Sequence, residues 1–107
     1  MGSKEHLIKK LREFFDDLNK DFAVKKIILF GSRVSGKVKE ESDVDLVIIS
    51  DDFERMNFIE RAAKMYDYWK LDLPVDFLCY TSKEFNNLKK KISIVKEAIE
   101  KGIEVYA

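Results

Sequence analysis

Two aspartates stand one residue apart at the start of an apolar run, in the segment SDVDLVIIS over residues 42–50. In a strand, alternation places the side chains of Asp43 and Asp45 on the same face, with Cα atoms about 6.5 Å apart. At a separation of about 6 Å and an effective dielectric constant of about 20, two carboxylates repel each other by on the order of 2–3 kcal/mol. A divalent ion relieves that repulsion, and magnesium prefers oxygen ligands. The spacing therefore leads to the hypothesis of a site for a divalent ion, for which magnesium is a candidate.

A glycine-serine pair, Gly31 and Ser32, follows the preceding apolar run, and Arg33 stands beside it. A glycine at a turn lets backbone N–H groups approach a phosphate, and the serine hydroxyl adds a further donor. The Arg33 guanidinium is suited to pairing with phosphate oxygens. These residues predict a phosphate-binding turn. Glycine-serine pairs after a strand and aspartates before one are also ordinary turn residues, so a purely structural role stays open for Gly31, Ser32 and Asp43.

A third carboxylate, Asp76, stands inside a later apolar run, LPVDFLCY over residues 73–80. An unpaired carboxylate on a buried face is costly, so an aspartate here is either hydrogen-bonded, exposed at an edge, or part of a site. The competing carboxylate, Asp72, precedes Pro74 and is typical of a turn. Asp76 is therefore the candidate for a third acidic site residue.

Apolar periodicity predicts the elements that position these residues, in the order helix, strand, strand, helix, strand, helix, strand. The predicted helices cover residues 4–19, residues 56–70 and a region from Thr81 or Ser82 to Gly102, and the predicted strands cover residues 25–30, 44–50, 73–80 and 103–106. This order predicts a single domain over residues 1–107 of the α/β (α+β) class, with a small mixed sheet of about four strands backed by helices.

The second predicted helix carries an apolar stripe at helical spacing, formed by Phe58, Ile59, Ala62, Ala63, Tyr66 and Trp69. Such a stripe is typical of a helix face that packs on the core, so Tyr66 and Trp69 are predicted to be core residues. Cys79 is predicted to be a small buried residue and not a nucleophile.

Composition narrows the classes of partner and location. Twenty Lys and Arg residues balance twenty Asp and Glu residues, so no bulk electrostatic attraction to nucleic acid is expected. Cys79 is the only cysteine, which excludes an intrachain disulfide and favours a reducing compartment. No apolar run approaches the roughly 20 residues of a membrane span. The sequence therefore predicts a cytoplasmic protein with neither a membrane nor a nucleic acid as its direct partner.

The motifs together form a more specific pattern: Gly31-Ser32, ten intervening residues, and then Asp43-x-Asp45. This pattern closely resembles the minimal nucleotidyltransferases (MNT) of the polymerase-beta-like superfamily, and the likeness extends to the runs FGSR, SDVDLV, VDF and KGIEVYA. The resemblance implies a polymerase-beta-like nucleotidyltransferase fold. It also implies that Asp43 and Asp45 hold magnesium, that Asp76 is the third carboxylate, and that Gly31 and Ser32 hold the β- and γ-phosphates.

The implied reaction is an in-line attack of an acceptor oxygen on the α-phosphorus of a nucleoside triphosphate, with pyrophosphate leaving. Two magnesium ions about 3.5–4 Å apart can stabilise the attacking and leaving oxygens together. Asp43 and Asp45 are assigned as catalytic metal ligands, and Asp76 as the residue that holds the second ion or accepts the acceptor's proton. Arg33 would stabilise the pyrophosphate charge.

Stand-alone domains of the resembled family commonly pair with a HEPN-domain protein, often in toxin–antitoxin operons. There the MNT partner is the antitoxin and transfers AMP to a tyrosine of the HEPN toxin. The resemblance thus implies a magnesium-dependent, ATP-using protein adenylyltransferase whose partner is a HEPN toxin. A chain of 107 residues leaves little room for an acceptor site, so a second polypeptide or a second copy of this chain is expected to help form one.

Two alternatives remain at the level of the sequence. The first is a nucleotidyltransferase subunit that acts on a small-molecule hydroxyl, as antibiotic nucleotidyltransferases do. The second is a non-catalytic antitoxin that neutralises its partner by binding alone.

Overall fold

The structure, a computed structural model, describes residues 4–30, 44–91 and 102–106. Its elements in chain order are α1 (Lys4–Leu18), β1 (Val24–Phe30), β2 (Val44–Ser50), a short 3₁₀ segment (Asp51–Arg55), α2 (Phe58–Tyr66), β3 (Val75–Tyr80), α3 (Ser82–Leu88) and β4 (Ile103–Tyr106). The predicted order and the α/β class are confirmed, and the 3₁₀ segment is an addition to them. The part of the third predicted helical region over residues 92–101 lies outside the described residues. None of the helices described is long and apolar enough to cross a membrane.

The four strands form one sheet in the order β3-β2-β1-β4. β1 runs antiparallel to β2 and to β4, whereas β2 and β3 are parallel. Parallel neighbours require a crossover connection, and the connection from β2 to β3 contains α2. The predicted small mixed sheet is therefore confirmed, with β2 and β1 as its central strands.

Helices cover both faces of this sheet. One core cluster lies between α1, α2 and one face, and includes Leu11, Phe14, Phe15, Leu18, Ile27, Leu29, Leu46, Ile48, Met65 and Phe77. A smaller cluster on the other face is formed by Ile28, Phe30, Val47, Ile49 and Phe85, the last from α3. Because β2 is buried on both faces, its sequence is a nearly continuous apolar run, broken only where Asp45 stands.

α2 is shorter than predicted and turns a different side to the core. Its buried residues are Arg61 and Met65. The prediction of Tyr66 as a core residue is wrong, since this side chain is 51% exposed. Trp69, which follows the helix, packs against the core as predicted. Hydrogen bonding determines which side of α2 is buried, because the backbone carbonyls on that side accept hydrogen bonds from Arg61, which an apolar side chain could not donate.

The Arg61 guanidinium joins three separate elements. Its Nε donates to the carbonyl oxygens of Phe53 and Met56, at 3.0 and 2.9 Å, and its Nη1 donates to the carbonyl of Cys79 at 3.1 Å. The same group pairs with the Glu84 carboxylate at 2.6 and 3.3 Å. Arg61 is only 6% exposed, so these bonds satisfy a buried charge and several backbone carbonyls together.

Acid is expected to destabilise the protein through Glu84. A hydrogen bond from Arg61 holds the pKa of the Glu84 carboxyl below its ordinary value of 4.5. A carboxyl whose pKa is lower in the folded state stabilises the fold above its unfolded pKa, and this contribution is lost as the pH falls through the folded pKa. We therefore expect the free energy of unfolding, measured by urea titration, to decrease as the pH falls below about 4.5.

The matched variant for this prediction is Glu84→Gln, which keeps an acceptor for the Thr81 N–H. Its free energy of unfolding should depend less steeply on pH over the same range. An unchanged pH profile in this variant would show that other carboxyls cause the acid sensitivity.

Candidate carboxylate site

The register of β2 and β3 brings two of the three predicted carboxylates together. Asp45 and Asp76 are paired residues of the two parallel strands. Neighbouring strands lie about 4.8 Å apart, and directly paired residues point to the same face of the sheet. Asp45 is half-buried and Asp76 is exposed. Both side chains therefore stand on one face, at the start of their strands, with Asp76 open to solvent.

The other predicted site residues lie in the connection between β1 and β2. This connection begins and ends at the end of the sheet where Asp45 and Asp76 stand. Phe30, the last residue of β1, is paired with Asp45. Val44 begins β2, and its N–H donates to the carbonyl of Pro74 at 2.8 Å. Between these two points lies the segment 31–43, which is outside the described residues. The placement of Gly31, Ser32, Arg33 and Asp43, all within that segment, stays a prediction.

Below the carboxylates, the same face of the sheet is apolar. Val47 follows Asp45 on this face of β2, and Ile28 and Phe30 lie beside it on β1. A charge at the border of an apolar surface is less well screened by water, so its attraction to a cation is stronger than at an ordinary exposed site. At this position a carboxylate can contribute to a cation site.

The donor chemistry fits magnesium. Magnesium is usually bound by one or two carboxylates together with phosphate oxygens and water, and is rarely enclosed by protein ligands alone. Within residues 4–30, 44–91 and 102–106, no group of three or more His, Cys, Asp or Glu side chains is placed to hold a metal. The pair of Asp45 and Asp76 supplies the one or two carboxylates that a protein usually offers to magnesium, and the other ligands would come from phosphate oxygens and water.

Two aromatic side chains hold the start of β3, the strand that carries Asp76. The Tyr66 hydroxyl donates to the carbonyl of Val75 at 2.5 Å, and the Trp69 indole N–H donates to the carbonyl of Leu73 at 2.9 Å. These bonds fix the backbone on both sides of the point where β3 begins. Sequence reasoning missed this role, because helical spacing indicates which side of a helix is apolar and gives no sign that a hydroxyl reaches a strand carbonyl.

Cys79 behaves as predicted. It is buried, and burial raises the pKa of its thiol to about 12. The thiol therefore stays protonated near neutral pH, and a protonated thiol is a poor nucleophile. Cys79 is a core residue of β3 and takes no part in the candidate site.

A cleft of about 460 Å³ lies between the start of α2 and α3, at the other end of β3. Its lining includes Phe58, Tyr80 and Leu88. Tyr80 lies four residues beyond Asp76 on the same strand, which corresponds to about 13 Å. The cleft is therefore separate from the carboxylate pair.

Comparison with known proteins places this geometry in context. Residues 8–101 match the family model for the nucleotidyltransferase domain. Over 79 residues the chain is 40% identical to the "Probable protein adenylyltransferase MntA" of Haemophilus influenzae, and the alignment covers 70% of this chain and 68% of that protein. Over 68 residues it is 35% identical to the "Protein adenylyltransferase MntA" of Thermococcus cleftensis, covering 62% of this chain and 66% of that protein.

A solved structure of a toxin–antitoxin, MntA-HpeT, is also similar. The superposition has a TM-score of 0.58 and covers 94% of this chain and 73% of that chain. The two sequences are 20% identical over it, so this likeness concerns the fold.

Proposed function

Since this chain belongs to the nucleotidyltransferase domain family and is a nucleotidyltransferase, we propose that it transfers AMP from ATP to a hydroxyl of a partner protein. The observation that carries the proposal is the pairing of Asp45 with Asp76 on one face of the sheet, at the end where β1 finishes. The names of the two similar proteins support protein adenylylation as the reaction. We further propose that the acceptor is a tyrosine of a HEPN toxin and that this chain is its antitoxin, in keeping with the similarity to a toxin–antitoxin structure.

In this proposal Asp45 and Asp76, with Asp43, bind magnesium, which supplies charge neutralisation for the triphosphate and for the pyrophosphate that leaves. Gly31, Ser32 and Arg33 are assigned to the β- and γ-phosphates from the sequence pattern alone.

Asp76 also has the position of a proton acceptor, because its side chain is exposed at the start of the outer strand. The acceptor oxygen forms a bond to the α-phosphorus as the bond to pyrophosphate breaks, and the carboxylate takes up the hydroxyl proton. An exposed carboxylate at a sheet edge can be reached by a hydroxyl on the surface of a large molecule. This exposure favours a protein acceptor over a small molecule enclosed in a cavity.

The proposal is tested by incubating the protein with magnesium, ATP labelled on the α-phosphate, and the protein product of the neighbouring gene. We expect label on the partner, no label when magnesium is chelated, and no label on a partner whose accessible tyrosines are replaced by phenylalanine.

Two other outcomes would replace the proposal. A stable complex that carries no label would indicate an antitoxin that acts by binding alone. Label that appears only on added small hydroxyl compounds, such as aminoglycosides, would indicate a small-molecule nucleotidyltransferase.

A further inference from the structure

The first residues of β3 are held on both sides of the strand. On the inner side, the Val44 N–H of β2 donates to the carbonyl of Pro74 at 2.8 Å. The carbonyls of a strand point alternately to its two sides, so the next carbonyl, that of Val75, points to the outer edge of the sheet. There it accepts a hydrogen bond from the Tyr66 hydroxyl at 2.5 Å. Asp76 is the residue that follows these two bonds.

The ring of Tyr66 contacts the residue on the other side of Asp76. The rings of Tyr66 and Phe77 meet edge to face, with centroids 5.0 Å apart and an interplanar angle of 82°. Phe77 is buried in the core, on the face opposite to Asp76, because consecutive side chains of a strand alternate. Turning Asp76 out of its direction would therefore withdraw Phe77 from the core. Tyr66 thus contacts both neighbours of Asp76, the carbonyl before it and the ring after it.

α2 as a whole is bound to the outer edge of β3. Arg61 donates to the carbonyl of Cys79, which points to the same edge as the carbonyl of Val75 because the two residues are four positions apart. One side chain of α2 therefore binds the edge near its end, and Tyr66 binds it at its start. A phenylalanine ring could make the contact with Phe77 equally well. The hydroxyl is the part of Tyr66 that adds a hold on the backbone beside Asp76.

We propose that Tyr66 is a positioning residue for nucleotide transfer, whose hydroxyl holds the start of β3 so that the Asp76 carboxylate stays level with Asp45. The inference rests on the proposed function, in which Asp76 binds magnesium and takes up the proton of the acceptor hydroxyl. The end of an outer strand that is held on one side only opens more readily. A displacement of a reacting group by about 1 Å can lower a rate by about a hundredfold.

The first test is amide hydrogen exchange of the protein without nucleotide or magnesium, read by mass spectrometry on the peptides that contain β3. Tyr66→Phe keeps the ring and removes the hydroxyl. We expect the amides at the start of β3 to exchange about five- to tenfold faster in this variant, as the loss of one hydrogen bond predicts. The amides of β1 should exchange at an unchanged rate.

The matched control is Tyr68→Phe. It removes a hydroxyl of the same type two residues away, and this hydroxyl donates to the Asp21 carboxylate, beyond the end of α1. Exchange at the start of β3 should be the same in this variant as in the unmodified protein.

The second test measures transfer, with labelled ATP, magnesium and the protein product of the neighbouring gene. Tyr66→Phe should lower kcat by about tenfold or more, whereas KM for ATP should stay within about twofold, because the β- and γ-phosphates are assigned to other residues. Tyr68→Phe should keep the normal kcat. The assay is run at a temperature at which thermal unfolding shows all three proteins to be folded, so that a lower kcat does not reflect unfolded protein.

Four results would overturn this inference alone. They are unchanged exchange of β3 in Tyr66→Phe, an unchanged kcat in Tyr66→Phe, equal losses of kcat in Tyr66→Phe and Tyr68→Phe, and a higher KM with a normal kcat, which would assign the hydroxyl to nucleotide binding. The absence of transfer by the unmodified protein is a different result. It would contradict the proposed function, and this inference with it.

Discussion

Asp45→Asn is expected to lower the rate of nucleotide transfer by at least about a thousandfold while the protein stays folded. Asparagine has nearly the same shape as aspartate, so the packing of β2 is retained. It lacks the negative charge, however, and it cannot bind a magnesium ion as a carboxylate does. The loss falls on transfer because Asp45 is the residue paired with Asp76, and one carboxylate alone is a poor site for a doubly charged ion.

Three measurements are needed for this prediction. Transfer is followed with labelled ATP, binding of magnesium–nucleotide by calorimetry, and folding by thermal unfolding. We expect the variant to lose transfer activity and to bind magnesium–nucleotide much more weakly. Its thermal unfolding midpoint should lie within a few degrees of that of the unmodified protein.

The matched control is Asp72→Asn, which removes a carboxylate of the same type from an exposed position shortly before β3. This variant should transfer nucleotide at the normal rate. Full activity in Asp45→Asn would remove the carboxylate pair from the mechanism, and equal losses in both variants would show that the effect comes from net charge and not from the site.

The sequence predicts β2 well, for a physical reason. β2 is buried on both faces, so residues 44–49 form an apolar run that only Asp45 interrupts, and the strand predicted over residues 44–50 agrees with the observed one. The start of α3 was predicted at Thr81 or Ser82, and the structure has Thr81 as the N-cap, where it forms a capping box with Glu84, a local interaction between residues three positions apart. Features set by neighbouring residues are the ones that the sequence alone can predict.

The pairing of Asp45 with Asp76 could not be derived from the residues in this way. The two positions are 31 residues apart in the chain, and the register of a parallel pair is set by how the crossover packs, which involves contacts distant in sequence. The resemblance to a family suggested that these carboxylates belong to one site. The fold supplies the reason that they can, since the two strands are neighbours and begin at the same level.

The prediction of which side of α2 is buried was wrong for the opposite reason. A contact between residues distant in sequence outweighed the local apolar pattern. Helical spacing predicted that the side bearing Ile59 and Tyr66 would be buried. The carbonyls of Phe53 and Cys79 instead accept hydrogen bonds from Arg61, and this requirement sets which side of the helix faces inwards.

Arg61→Met is expected to destabilise the protein by about 3 kcal/mol or more. Methionine fills a similar volume and keeps the apolar contacts of the long side chain, so the loss measures the guanidinium itself. Its removal takes the Arg61 donors from the carbonyls of Met56 and Cys79, whereas the carbonyl of Phe53 keeps the Met56 N–H at 3.0 Å. Each buried carbonyl left unsatisfied costs about 1–3 kcal/mol. The free energy of unfolding is measured by urea titration. The dependence of this free energy on urea concentration is compared between the variant and the unmodified protein, so that a change in the unfolded state is recognised.

Glu84→Gln separates the ion pair of Arg61 with Glu84 from the Arg61 hydrogen bonds to backbone carbonyls. It removes the charge that faces Arg61 but leaves every Arg61 bond to a backbone carbonyl in place, and the Glu84 side chain is 44% exposed, so water can compensate for part of the lost ion pair. We therefore expect a loss of about 1 kcal/mol or less, well below that of Arg61→Met. Equal losses in the two variants would assign the stability to the ion pair, and a loss below about 0.5 kcal/mol in Arg61→Met would mean that the buried carbonyls are satisfied in some other way. A larger loss in Arg61→Met would identify the bonds from the guanidinium to the backbone carbonyls as the contacts that orient α2, and with it the exposed apolar side of that helix.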